Sequence, residues 1–189
     1  LKLKFDAKPG LKKYKEYIHI CCTSEDINNL SYALMVKTGQ GLILNKLNIL
    51  NTLIKKYIKK YSKNIMLSHT HGQPATPTSM GKEFLNFHAR LTLLQKKIKN
   101  LSVMGKFNGA TGNYSAHSVT FPNINWPIIN KKFINSLGVE ENKYTTQIEP
   151  HDYICEISNN IAHANSILIG FSQDMWSYIS KNYFIQKNI

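Results

Sequence analysis

Arginine is almost absent. Arg90 is the only one, although lysine and arginine together number 24 against 11 acidic residues, for a formal charge of +13. No arginine cluster or recognised nucleic-acid motif accompanies the lysines, which weighs against a nucleic-acid surface. Cysteine is scarce too. The three present, adjacent Cys21 and Cys22 with distant Cys155, make no even framework of the kind that staples small secreted domains. They read as small buried hydrophobes in a reduced, intracellular protein. No apolar run approaches the roughly 20 residues needed to cross a bilayer. The opening "LKLKFDAKPG" lacks the apolar core of a signal peptide. Repeats, low-complexity linkers and any long alternating strand pattern are missing as well, so neither a solenoid nor a large sheet is expected.

What is present is charge and helical periodicity. A basic excess favours polyanionic partners, which include nucleic acid, an acidic membrane, or a small substrate dense in phosphate and carboxylate. The runs "KKYIKKYSK" (Lys55 to Lys63) and "KKIK" (Lys96 to Lys99) fall mostly off the neighbouring apolar stripes and read as solvated helix faces. Apolar residues recur in threes and fours along three seams. One runs Ile43, Leu47, Leu50, Ile54, Tyr57, Tyr61; the second Met80, Phe84, Phe87, Leu91, Leu94, Ile98, Leu101; the third Ile154, Ile157, Ile161, Ala164, Leu168, Phe171, Met175, Tyr178. Each predicts a long helix with a narrow stripe suited to packing at a crossing angle of about +20°. The fold class is therefore all-α, a long-helix bundle. A helix of about thirty residues is on the order of 45 Å long, more than a domain of this size needs, so the helices are expected to find partners on other subunits.

Start signals place the helices more closely. Thr76 is expected to cap a helix with Pro77 at its first position, and Pro150 to open the last helix with Asp152 in its first turn. Thr23 and Ser24, followed by Glu25 and Asp26, mark another start, and Gly39 and Gly41 are expected to bend or break that helix. The Gly- and Asn-rich text from Gly105 to Asn125 reads as a structured connection before a short helix, Trp126 to Leu137.

Three polar clusters sit at these starts. In "MLSHTHGQPATP", Met66 to Pro77, an extended backbone would turn His69 and His71 to one face. The pair is open to three readings. A metal pair would need further ligands and an α/β frame, which helical text does not offer. Two hydrogen-bonded loop histidines would be purely structural. The third reading is a chemical role, which the two companion clusters favour. In "CTSEDINNL", the hydroxyls of Thr23 and Ser24 beside free backbone N–H groups suit a carboxylate or phosphate. In "YTTQIEPHDY", Gln147 offers a donor and an acceptor just before a helix.

Taken together, "TSEDIN", "THGQPATP", "GKE" (Gly81 to Glu83), "GNYSAH" and "TTQIEPHDY" occur in this order across essentially the whole chain. In that set the sequence resembles the adenylosuccinate lyase family, especially its bacterial-type members, within the fumarase and aspartase superfamily. The resemblance implies a reversible anti elimination. Adenylosuccinate would give AMP and fumarate, and the succinyl-carboxamide ribotide of purine synthesis would likewise lose fumarate. It implies that His71 is the general acid, a role suited to imidazole. It makes Thr23 and Ser24 the binders of the succinyl carboxylate, Thr70 a helping hydroxyl and Gln147 the amide that orients substrate. His69, Asn113, His117 and His151 receive no role. No cofactor and no metal are implied, and neither nucleic acid nor membrane is an expected partner.

The resemblance also implies a cytoplasmic homotetramer whose active sites are shared among subunits. The family's base is a serine on a loop of the type "GSSxMPxKxNP", and no such text occurs here. Residues 1–189 therefore read as a central helical-bundle domain with Leu1 and Ile189 as cut ends, inactive by itself. The rival expectations are another superfamily lyase, acting on argininosuccinate or fumarate, and a helical assembly module that has lost catalysis.

Overall fold

The computed structural model describes residues 1–185 and 187; Ile189, expected above as a cut end, lies outside the described residues. In chain order it contains α1 (Lys2–Asp6), α2 (Pro9–Lys12), a 3-10 turn (Lys15–His19), α3 (Ser24–Lys60), β1 (Ile65–Thr70), β2 (Gln73–Ser79) and α4 (Met80–Asn100). Then follow β3 (Met104–Gly105), α5 (Ser115–Thr120), α6 (Trp126–Ser136), β4 (Glu140–Glu141) and α7 (Asp152–Ser180). The chain forms two compact units. The first joins Leu1–Thr38 to Ser102–Tyr153, and the second joins Gly39–Leu101 to the chain from Ile154 onward.

The second unit is built on the seams. Along α4, Met80, Phe84, Phe87, Leu91, Leu94 and Ile98 are all buried, as a strict three-four alternation requires of a helix packed on one face. Leu47 and Ile54 of α3, Met66 of β1, and Ala164 and Ile167 of α7 complete the same core. Of the other seam residues of α3 and α7, Ile157 is buried outside this cluster and the rest are only half-buried. A polar contact fixes register inside this apolar contact. Asn51 of α3 donates to Thr92 Oγ1 and Gln95 Oε1, both at 2.8 Å, and its carbonyl oxygen lies 2.7 Å from His88 Nδ1.

Several boundaries differ from the sequence expectations. Thr76 and Pro77 do not start a helix; they lie in β2, and α4 begins at Met80 with Ser79 accepting from the Lys82 N–H at 3.2 Å. No long alternating strand pattern is expected from the sequence, yet β1 and β2 pair; Pro74 and Pro77 fit there because in a two-stranded hairpin every position is at an edge, where proline is tolerated. The last helix starts at Asp152, two residues beyond Pro150, because His151 is left-handed with φ +61°. Cys155 is exposed rather than buried, and Cys21 and Cys22 are half-buried. Burial, with Asp26 adding to it, pushes the Cys22 thiol up to about 11, so it is protonated at neutral pH.

Gly39 and Gly41 do not break α3, which runs unbroken for 37 residues. A helical glycine costs only about 1 kcal/mol against alanine, too little to end a ladder whose two halves are each anchored. A Cβ on Gly41 would meet nothing within 4 Å, whereas one on Gly81 would lie 2.7 Å from the Ile58 carbonyl oxygen and the Ser62 Cα. Gly41→Ala is therefore expected to raise the denaturation free energy by about 0.5–1 kcal/mol. Gly81→Ala, which must separate α4 from the end of α3, is expected to lower it by about 1–3 kcal/mol. Urea titration of both variants against the parent checks the opposite signs.

Candidate active site

Ser24 is the first residue of α3 and is exposed, with half-buried Thr23 just before it. The helix start is capped from inside. The Thr23 N–H donates to Asp26 Oδ2 at 2.9 Å, and the Asp26 N–H donates to the Thr23 carbonyl at 3.1 Å, a reciprocal arrangement that leaves the hydroxyls of Thr23 and Ser24 without hydrogen bonds among the described residues. Free hydroxyls beside the positive end of a long helix dipole favour an anion. Asp26 does not spoil that preference, because its charge is matched: Lys106 Nζ lies 2.9 Å from Asp26 Oδ1, and both side chains are completely buried.

Lys106 also reaches the second polar cluster. Its ammonium donates to the Gln147 carbonyl at 2.7 Å and to the Gly109 carbonyl at 3.0 Å. Its own backbone is held to α3 by the Asn29 amide, which accepts from the Lys106 N–H at 2.8 Å and donates to the Lys106 carbonyl at 3.1 Å. The Gln147 side chain is left exposed. On its two flanks, Thr145 is paired with Asn108 at 2.9 Å, and buried Glu149 accepts from Asn142 at 2.8 Å and from the His151 N–H at 2.6 Å. A cavity of about 440 Å³ opens beside this loop, lined by Gly112, Lys143, Thr145, Thr146 and Ile148 among others.

The third cluster belongs to the second unit. β1 and β2 form an antiparallel hairpin with Thr70 paired to Gln73, so His71 and Gly72 are its two-residue turn. Both have positive φ, +52° and +76°, the signature of a type I′ turn. This overturns the expectation that His69 and His71 share a face. His69 is a half-buried strand residue, while His71 has left the strand and sits exposed at the tip, beside exposed Thr70. Thr23, Ser24 and Gln147 thus lie in the first unit and Thr70 and His71 in the second.

Sequence reasoning missed the buried residues that support these clusters, Lys106, Asn29 and Glu149. Asn113 closes a local turn, its side-chain carbonyl oxygen accepting from the Ser115 N–H at 3.2 Å. His117 is 1% exposed, its ring nitrogens without hydrogen-bond partners among the described residues, wedged against Phe107, Tyr114 and Trp126. Burial lowers its pKa from the ordinary 6.5, with the Asp26 charge opposing more weakly. The sign follows from linkage. Above pH 6.5 the ring is neutral folded or unfolded; below it the unfolded chain binds a proton that the native ring resists, so stability falls as pH drops toward the depressed native value. His117→Phe is expected to flatten that acid slope, as read from urea midpoints at neutral pH and about one to two units lower.

Among the described residues, no three His, Cys, Asp or Glu side chains converge to hold a metal ion, and no helix is long and apolar enough to cross a membrane. A family model described as lyase matches residues 5–188, and the chain belongs to that family. It is 49% identical over 191 residues to the adenylosuccinate lyase of Buchnera aphidicola subsp. Schizaphis graminum, covering 100% of this chain and 42% of that protein. It is 46% identical over 190 residues to the adenylosuccinate lyase of Escherichia coli K12, again covering 100% of this chain and 42% of the other. The chain thus spans less than half the length of these relatives. Among solved structures, the 3-carboxy-cis,cis-muconate lactonizing enzyme of Pseudomonas putida superposes with a TM-score of 0.74 at 19% identity, covering 87% of this chain and 37% of that one, a likeness of fold alone.

Proposed function

We propose that this chain is the central part of an adenylosuccinate lyase that eliminates fumarate from adenylosuccinate and from the succinyl-carboxamide ribotide. The observation that carries the reading is its similarity, over 100% of its length, to proteins bearing that name. The geometry is compatible with the chemistry. Removing a proton beside a carboxylate builds a doubly charged aci-carboxylate, which needs donors already aimed at it. Thr23, Ser24 and the N–H groups at the start of α3 would supply such donors. Gln147 would orient the substrate by its side-chain amide, and Thr70 would assist through its hydroxyl. His71 would protonate the departing nitrogen from the hairpin tip, where its exposure lets it meet a substrate held elsewhere.

In this reading the base is a serine outside the 189 residues, and the enzyme is a cytoplasmic homotetramer whose sites are shared between subunits. Exposed apolar side chains along the long helices support assembly: Leu42 is 63% exposed, Leu93 57% and Trp176 75%. The test is fumarate release from adenylosuccinate by the longer protein that contains this chain. Release from adenylosuccinate but not from argininosuccinate is the expected result, with residues 1–189 alone silent. Turnover of argininosuccinate instead would move the protein to another branch of the superfamily.

A further inference from the structure

Lys106 is wholly buried, and each of its three N–H donors has an acceptor: Asp26 Oδ1 at 2.9 Å, the Gln147 carbonyl at 2.7 Å and the Gly109 carbonyl at 3.0 Å. With all three engaged and no exposed surface, the ammonium is not available to substrate. Its contacts form a path instead. The Thr23 N–H donates to Asp26, Asp26 faces Lys106, and Lys106 donates to Gln147, so one buried ion pair joins the helix start to the Gln147 peptide. Gly109 is gripped from both sides, its N–H by Asp26 at 3.2 Å and its carbonyl by Lys106. Gln147 itself has no other hydrogen bond among the described residues, although Thr145 and Glu149 are tied on its flanks.

We propose that Lys106 is a positioning residue, holding the Gln147 peptide in register with the Thr23 and Ser24 helix start so that both meet the same substrate. The proposal rests on the lyase reading above for what the two ends bind. A neutral side chain of similar length could fill the space but offers no donor for the two carbonyls. A partnerless Asp26 would be a buried charge with nothing to match it. These two losses can be separated. Lys106→Met incurs both, whereas Asp26→Asn with Lys106→Met removes the stranded charge, keeps an acceptor for the Thr23 N–H, and still leaves Gln147 unheld.

The experiment compares the longer protein with both variants by thermal melting, by amide exchange on peptides covering 23–26 and 144–151, and by KM and kcat for adenylosuccinate. In the double variant the melting temperature is expected to recover most of what Lys106→Met loses. Exchange across 144–151 is expected to stay about tenfold faster than in the parent, and KM to stay raised by about tenfold or more with a smaller change in kcat. If KM returns together with the melting temperature, or if exchange at 144–151 never changes, Lys106 is merely structural and the proposal is wrong. Should Lys106→Met fail to fold, KM and exchange in the double variant separate the same two outcomes. A parent protein that releases no fumarate overturns the lyase reading, and exchange still decides whether Lys106 anchors the loop.

Discussion

If the proposed lyase reading is right, removing the imidazole of His71 in the longer protein is expected to abolish fumarate release, by at least about 10²–10⁴-fold, the usual worth of a general acid. The choice of replacement matters because of the turn. Alanine at φ +52° would add about 1–2 kcal/mol of left-handed strain, so a loss of activity in His71→Ala mixes chemistry with a damaged hairpin. His71→Asn separates them. Asn-Gly is the favoured pair for a type I′ turn, so this variant should melt at or above the parent temperature while remaining inactive. A hairpin as stable as the parent with near-normal turnover would remove His71 from the reaction. The expected combination, firmer and inactive, would mean that the histidine is kept at a strained position for its chemistry.

The largest stability loss is expected at Phe84. It is 3% exposed, and its ring packs against Tyr57 at 5.6 Å, Phe171 at 5.9 Å and Tyr61 at 6.2 Å between centroids. Tyr57 comes from α3 and Phe171 from α7, so Phe84 links all three long helices of the second unit. Truncation to alanine should cost about 3–5 kcal/mol, through lost transfer energy and the cavity left behind. Domains have roughly 5–15 kcal/mol in total, so this could remove much of the cooperative transition. Phe84→Leu should lose less than half as much in the same urea titration. An alanine variant as stable as the parent would mean that this aromatic cluster does not bear on the core.

The α4 seam was legible because its buried large side chains, from Met80 to Ile98, repeat the three-four spacing, and Phe84 could be named as core from its spacing alone. The path of α3 was not, since Gly39 and Gly41 resemble a stop and only the anchored helix on either side overrules their local preference. The hairpin was hidden for a related reason. Its prolines, its bulge between Leu67 and His69 and its short length leave no clean alternation to read. Within the candidate site, Thr23, Ser24, Gln147 and His71 stood out as short polar clusters next to helix signals. Lys106 did not, because a lone lysine in Gly- and Asn-rich text reads as solvated, and its partner Asp26 is remote in sequence. Burial of a charge is a tertiary event that local pattern does not encode.

The prolines that concealed the hairpin have a further effect. A two-stranded ribbon leaves both outer edges open, and such an edge is a template on which another chain can add a strand. Pro74 and Pro77 carry no N–H, so β2 offers an incoming strand fewer donors than seven ordinary residues would. Ile65, 82% exposed at the base of the same ribbon, supplies the kind of sticky surface that such addition exploits. The ribbon that carries His71 into solvent is thereby less open to strand addition along β2, and substituting both prolines with threonine would be expected to favour β-rich aggregates at concentrations where the parent does not form them.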